Sequence, residues 1–178
     1  MKTKAIILTF ILLAATNINF ANNYIKLYPS DLHKGTISFE KEINETKSFF
    51  HEFSFGISAE DSTRTSPYYR GDLGFNFGDI YYTEQKNFKN FSKYSYGLSI
   101  AGYHSSSYTK IKTKISFNKY FGLEKEFFKN IFFGFETKLF GIDYKVTYYN
   151  YSSNDNDYSH GINFNIFDTY YIYFKLIF

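Results

Sequence analysis

The stretch Ile162-Asn163-Phe164-Asn165-Ile166-Phe167-Asp168-Thr169-Tyr170-Tyr171-Ile172-Tyr173-Phe174-Lys175-Leu176-Ile177-Phe178 decides the fold. Its even positions are apolar or aromatic from Ile162 to Phe178, with Asp168 the one exception. Its odd positions include Asn163, Asn165, Thr169 and Lys175. A period of two describes a strand with one apolar and one polar face. From Tyr170 to Phe178 the eight steps at ~3.3 Å give roughly 26 Å, or ~20 Å of height once the strand tilts by ~40°.

Working back along the chain, the same period recurs. Ile131, Phe133, Phe135 and Leu139 alternate with Glu136 and Lys138, and the pattern blurs after Gly141, as at a bulge. Ile111, Thr113, Ile115, Phe117, Phe121 and Leu123 face away from Lys110, Lys112, Lys114, Ser116 and Asn118. Segments 94–103, 68–78, 48–59 and 35–43 alternate likewise, and a short first strand is expected at 24–28. Eight strands result. Their connections alternate between the two ends of the sheet: 29–34, 60–67, 104–107 and 149–160 at one end, 44–47, 84–92 and 125–130 at the other. Tyr120, Leu123, Phe127, Phe128 and Ile131 also fit a helical turn or two as an embellishment.

Composition narrows the solvent. The chain has 178 residues with 23 Phe, 19 Tyr, no Trp and no Cys, so disulfides, thiolate metal sites and Cys nucleophiles are excluded. Lys2 and Lys4 precede an apolar run from Ala5 to Ala15, which has the form of a signal peptide cleaved after Ala21. The expected organisation is therefore a leader over 1–21 and one domain over 22–178. Without the leader there are 18 basic and 17 acidic side chains, so the charge gives no nucleic-acid footprint. Aromatic abundance on the apolar face favours lipid as that face's surroundings, because rings form girdles at both membrane interfaces. The polar face then lines an interior. It carries Glu40, Glu42, Glu52, Asp72 and Glu136 against Arg70, Lys110, Lys112, Lys114, Lys138 and Lys175, which are expected to pair across a narrow lumen.

The ending Tyr170, Ile172, Phe174, Leu176 and Phe178 resembles the C-terminal assembly signal of bacterial outer-membrane proteins, a terminal aromatic preceded by apolar residues at alternate positions. In size and strand count, residues 24–178 resemble the small eight-stranded barrels of the OmpA/OmpX type. The resemblance implies an antiparallel up-and-down eight-stranded transmembrane β-barrel in the outer membrane. It further implies recognition by the barrel-assembly machinery and closure of the last strand on the first. Outer-membrane lipid and lipopolysaccharide would surround a monomer.

Motifs for chemistry are few. Gly97-Leu98-Ser99-Ile100-Ala101 approaches a nucleophile elbow, but its fifth position is Ala101 and it alternates as a plain strand. His104 and Ser106 have the spacing found in outer-membrane lipid A deacylases, where His activates Ser; the wider motif is missing and position 118 is Asn118. His33, His51, His104 and His160 are dispersed, although three fall in loops of one end near Asp31, Asp155 and Asp157. Asn154-Asp155-Asn156-Asp157 starts like a calcium loop but lacks its glycine and closing Glu. The expectation is a protein without catalytic residues, metal or cofactor, acting in envelope structure, surface interaction or adhesion. The alternatives are a lipid A deacylase-like hydrolase, a small channel, and a soluble periplasmic β-sandwich or lipocalin-like barrel.

These readings separate on a gel. The protein is expected in the detergent-extracted outer-membrane fraction with heat-modifiable mobility; recovery in an osmotic-shock supernatant would overturn the membrane reading.

Overall fold

The computed structural model describes residues 23–28, 34–60, 68–85, 88–105, 108–151, 156–167 and 169–177. The leader, His33, Ser106 and Phe178 lie outside the described residues, as do Asn154 and Asp155 of the calcium-like tetrad. The strands are β1 (Asn23–Tyr28), β2 (Lys34–Asn44), β3 (Lys47–Glu60), β4 (Tyr68–Gln85) and β5 (Phe88–His104). They continue as β6 (Tyr108–Phe128), β7 (Ile131–Tyr151), β8 (Asn156–Ile166) and β9 (Tyr170–Ile177).

Each strand from β1 to β7 pairs antiparallel with the next, and β9 pairs with β1 to close the ring. The fold is an all-β, up-and-down barrel of eight staves. The eighth stave is double: β9 lies against Ile131–Thr137 of β7, and β8 against Phe140–Asn150. The single last strand expected over 162–178 is thus interrupted. Phe167 sits there at φ 49, in the left-handed region that bulky residues rarely adopt. Beside it Leu139 is an extra residue in β7, between the pairs Lys119↔Phe140 and Tyr120↔Lys138. Thr169 stitches the two irregularities together, its carbonyl accepting from Lys138 N at 2.8 Å and from the Thr137 hydroxyl at 3.3 Å.

The bulge explains the blurred pattern in β7. Before Leu139 the outward residues are odd, Phe133 and Phe135; after it they are even, Phe140, Ile142 and Tyr144. One inserted residue exchanges the faces, so the apolar coat stays outside.

Other boundaries also differ from expectation. The connections expected over 84–92 and 125–130 are mostly strand: β4 and β5 are paired out to Gln85↔Phe88, and β6 and β7 to Phe128↔Ile131. The helical reading of 120–131 fails for the same reason. Tyr120 faces inward while Leu123, Phe127 and Phe128 are exposed, so these residues serve different faces of a strand. The turn itself is Lys129–Asn130, with Asn130 at φ 67, a conformation that Asn tolerates. At the opposite end the connection expected over 149–160 shrinks, because β7 runs to Tyr151 and β8 starts at Asn156.

The coat is outside and aromatic. Leu73, Phe77, Tyr96, Leu98, Ile115, Phe121, Phe135, Ile142, Phe164, Tyr170, Ile172 and Phe174 are all exposed. Inside, a small apolar floor of Phe50, Ile80, Phe91 and Tyr173 is buried, with Tyr82 and Tyr171 against it. Its rings stand over glycines of the neighbouring strand: Phe50 opposite Gly78, Phe91 opposite Gly122, Tyr173 opposite Gly134. A Cβ on Gly122 or Gly134 would enter the facing ring. Glycine weakens a strand by itself, and here the ring laid across it restores the packing.

Gly122→Val and Gly134→Val are expected to overpack the floor and cost about 1–3 kcal/mol, read as a lower urea midpoint in detergent micelles. Gly102→Ala, whose added methyl meets nothing within 4 Å, should leave the midpoint unchanged.

Candidate functional site

The lumen holds the polar residues that the alternation turns inward, and they divide into two levels. The lower level lies at the closing seam. There Lys26 of β1 is directly opposite Lys175 of β9, two like charges in one cross-strand pair. Such a pair is unfavourable by itself. Glu40 of β2 resolves it, with Oε2 3.1 Å from Lys26 Nζ and Oε1 3.3 Å from Lys175 Nζ. Lys175 also reaches Glu124 Oε1 at 3.0 Å and donates to the Tyr82 hydroxyl at 3.0 Å. Tyr82 donates to Glu40 at 2.5 Å, and Tyr173 to Glu124 at 3.0 Å. The ammonium of Lys26 lies 4.9 Å and 4.8 Å from the ring centres of Phe91 and Tyr173.

A second knot sits beside the first. Lys93 Nζ lies 3.1 Å from Glu52 and 3.2 Å from Glu136, and Asn76 donates to the other Glu52 oxygen at 2.9 Å. The Phe50 ring centre is 4.6 Å from the same ammonium. Lys26, Lys93, Lys175, Glu40, Glu124 and Glu136 are all buried. Burying a charge alone is costly, and pairing with several partners offsets it. With the apolar floor, this network fills the lumen at the end that carries the turns at 45–46 and 129–130.

The upper level is wider. A cavity of about 590 Å³ is lined by Arg70, Asp72, Tyr103, Lys112, Lys114 and Lys145, with Glu52, Asn76, Glu136 and Lys138 below and Ser99 and Ser116 on the walls. Arg70 Nε is 3.5 Å from Asp72, and Arg70 and Lys110 both stack on Tyr103, at 5.2 Å and 5.4 Å. Asp143 takes Lys114 at 3.9 Å, Lys145 at 3.7 Å and a hydrogen bond from Asn165 at 3.1 Å. Lys110, near the tip of β6, is raised above the usual lysine range by its hydrogen bond to Tyr149.

Internal pairing was expected for all the inward charges. It holds for Glu40, Glu52, Glu136 and Lys175, and for Arg70 with Asp72 and Lys114 with Asp143; Glu42 instead accepts from the Tyr24 hydroxyl at 2.7 Å near the barrel's lower rim. Lys26, Lys93 and Glu124 escaped the sequence reading. Lys93 and Glu124 lay at the edges of supposed turns, yet each continues the inward parity of its strand, and that was their signal.

Among the described residues, the parts of the chemical motifs do not come together. Ser99 lies within an ordinary paired strand opposite Gly74 and Lys114, with no strand-to-helix turn. His104 is exposed at the end of β5, its Nδ1 3.0 Å from the Thr109 hydroxyl, while Asn118 is buried far down the lumen opposite Ser95. Among the described residues, no group of three His, Asp or Glu could hold a metal ion. Of the C-terminal residues, Tyr170, Ile172 and Phe174 form the exposed outer row of β9, and Leu176 is partly buried against the end of β7.

This architecture is that of a solved outer-membrane β-barrel. A major outer membrane protein from Thermus thermophilus is similar to it with a TM-score of 0.52 at 8% identity, over 88% of this chain and 98% of that chain. Ail, the attachment invasion locus protein of Yersinia pestis, aligns with a TM-score of 0.43 at 12% identity, over 88% of this chain and 94% of that one. No protein-family model and no curated protein matches the sequence.

Glu40→Gln is expected to cost about 3–5 kcal/mol, because it leaves two opposed buried lysines at the seam. Adding Lys26→Met to it should recover part of that loss, as read by urea unfolding in micelles.

Proposed function

We propose that the chain is a monomeric integral protein of the bacterial outer membrane, non-conducting and non-enzymatic, which acts at the cell surface through its outer end. The observation that carries this reading is the filled floor of the lumen, an apolar and ion-paired plug inside a wall whose outer face is aromatic. Small barrels are filled by their own side chains, whereas conducting ones need many more strands.

The orientation follows from turn length. The connections at 45–46, 86–87 and 129–130 are two residues each, at the end where β1 begins and β9 finishes. Short turns belong to the periplasmic side. A transmembrane strand needs ~9–11 residues, and β6 and β7 have 21 each, so they project beyond the lipid on the other side.

The projecting end supports a contact role. It is rich in tyrosine: Tyr148 and Tyr158 pack at 4.9 Å, Tyr149 and Tyr151 stack at 6.0 Å, and Tyr108 and Tyr151 pack at 6.3 Å. Tyrosine supplies large, stiff contact area with a polar tip, which suits protein interfaces. Lipid and lipopolysaccharide are the partners of the coat, and the outer row of β9 is the proposed signal for the assembly machinery. The separation of His104 from Asn118 supports the non-enzymatic reading.

Because the chain has no cysteine, single-cysteine variants report topology directly. Thr109→Cys is expected to react with a membrane-impermeant maleimide on intact cells, and Thr46→Cys only after lysis. The purified protein should give no conductance steps in a planar bilayer. Labelling in the opposite order, or steady single-channel currents, would overturn the orientation or the closed lumen respectively.

A further inference from the structure

The two levels of the lumen treat opposed lysines differently. At the seam, Lys26 and Lys175 are opposite one another, and Glu40 and Glu124 neutralise them at 3.0–3.3 Å. In the upper cavity Lys114 of β6 is directly opposite Lys145 of β7. Among the described residues, Asp143 stands between them at the longer distances of 3.9 Å and 3.7 Å. Two further lysines follow on the same face of β6. Lys112 is flanked across the sheet by Ala101 and Thr147, and Lys110 by Tyr103 and Tyr149, so neither has an acidic residue opposite. Lys145, Lys110, Lys114 and Arg70 are all close enough to repel the charge on Lys112.

Glu52 and Glu136, at the bottom of the cavity, are taken by Lys93; above them the described residues set Arg70, Lys110, Lys112, Lys114, Lys138 and Lys145 against Asp72, Asp143 and, at the tip of β8, Asp157. Cations gathered in a walled cavity focus a positive potential and raise the local concentration of anions. The cavity's volume of about 590 Å³ falls in the range of small-molecule sites. Its remaining lining is also informative. Asn76, Ser99, Ser116 and Asn118 offer neutral hydrogen-bonding groups, and Tyr103, Tyr120 and Tyr171 offer aromatic faces. Hydroxyl-bearing walls with rings suit a sugar; lysines in excess suit esters that carry negative charge.

We propose that the upper cavity binds a sugar bearing two or more phosphate or sulfate esters, held by Lys112, Lys114, Lys145 and Arg70 above the ion-paired floor. Access from outside rests on the orientation proposed above, but the binding itself does not. The esters belong either to a soluble sugar or to the phosphorylated headgroup of lipopolysaccharide, which offer the same chemistry to the same lysines.

The test is calorimetric titration of the folded chain in detergent micelles with fructose 1,6-bisphosphate, with fructose as the uncharged control. The bisphosphate is expected to bind, fructose not to, and the affinity to fall with added salt. Lys112→Gln combined with Lys145→Gln removes like charges and should retain heat-modifiable mobility while weakening binding at least tenfold. Lys125→Gln, at the opposite end of β6, should leave binding unchanged. Tenfold preference for purified lipopolysaccharide over the bisphosphate, abolished by the same double variant, assigns the esters to the lipid headgroup; the reverse order assigns them to a soluble sugar. No binding of either probe, or binding untouched by the double variant, overturns the site. Failure of Thr109→Cys to label on cells would instead overturn the outward orientation and leave a positive titration standing.

Discussion

One carboxylate between two lysines holds the barrel's seam. Lys26 and Lys175 come from the first and last strands and meet directly opposite one another, so closing the sheet brings two positive charges together in a dry interior. Glu40 bonds both. Closure cannot be avoided, because in hydrocarbon a backbone N–H or C=O left at an open edge has no water to bond. The hydrogen bonds of β1 with β9 thus depend on the side chain that makes their neighbours compatible.

The rest of the lumen is organised around that requirement. Glycines at 122 and 134 make room for Phe91 and Tyr173, and those rings in turn shield Lys26. Glu124, two residue pairs from the Phe91–Gly122 step, takes the other side of Lys175. Charge and packing are therefore one structure at the floor. Higher up, the constraint relaxes. β8 is paired only with β7 among the described strands, and its residues are almost all exposed. Among the described residues, the cations there outnumber the carboxylates beside them, and Lys114 and Lys145 are partly exposed, so water shares in balancing their charge.

Much of the wall was legible from the chain alone. The row Tyr170, Ile172 and Phe174 lies outward as its spacing implied, and so do Leu98 and Ile115. The bulge announced itself as a blurred pattern just after its true position at Leu139. Strand ends were harder. Phe88–Lys93 and Lys125–Phe128 carry several polar side chains, and a polar run reads as a turn unless its pairing partner is known. The break at Phe167 left only Asp168 as a trace, because Ile166 and Tyr170 keep the same parity on either side of it.

What the sequence determined by itself is which side chains share a face. The pleat places alternate residues on opposite sides of any strand, whatever its partner, so parity survives ignorance of the fold. Which polar groups meet was decided only by the tertiary structure. Glu40 and Lys175 are separated by 135 residues, and nothing local relates them. Register between strands and closure of the ring set their distance, and both emerge only when every strand has found its neighbours.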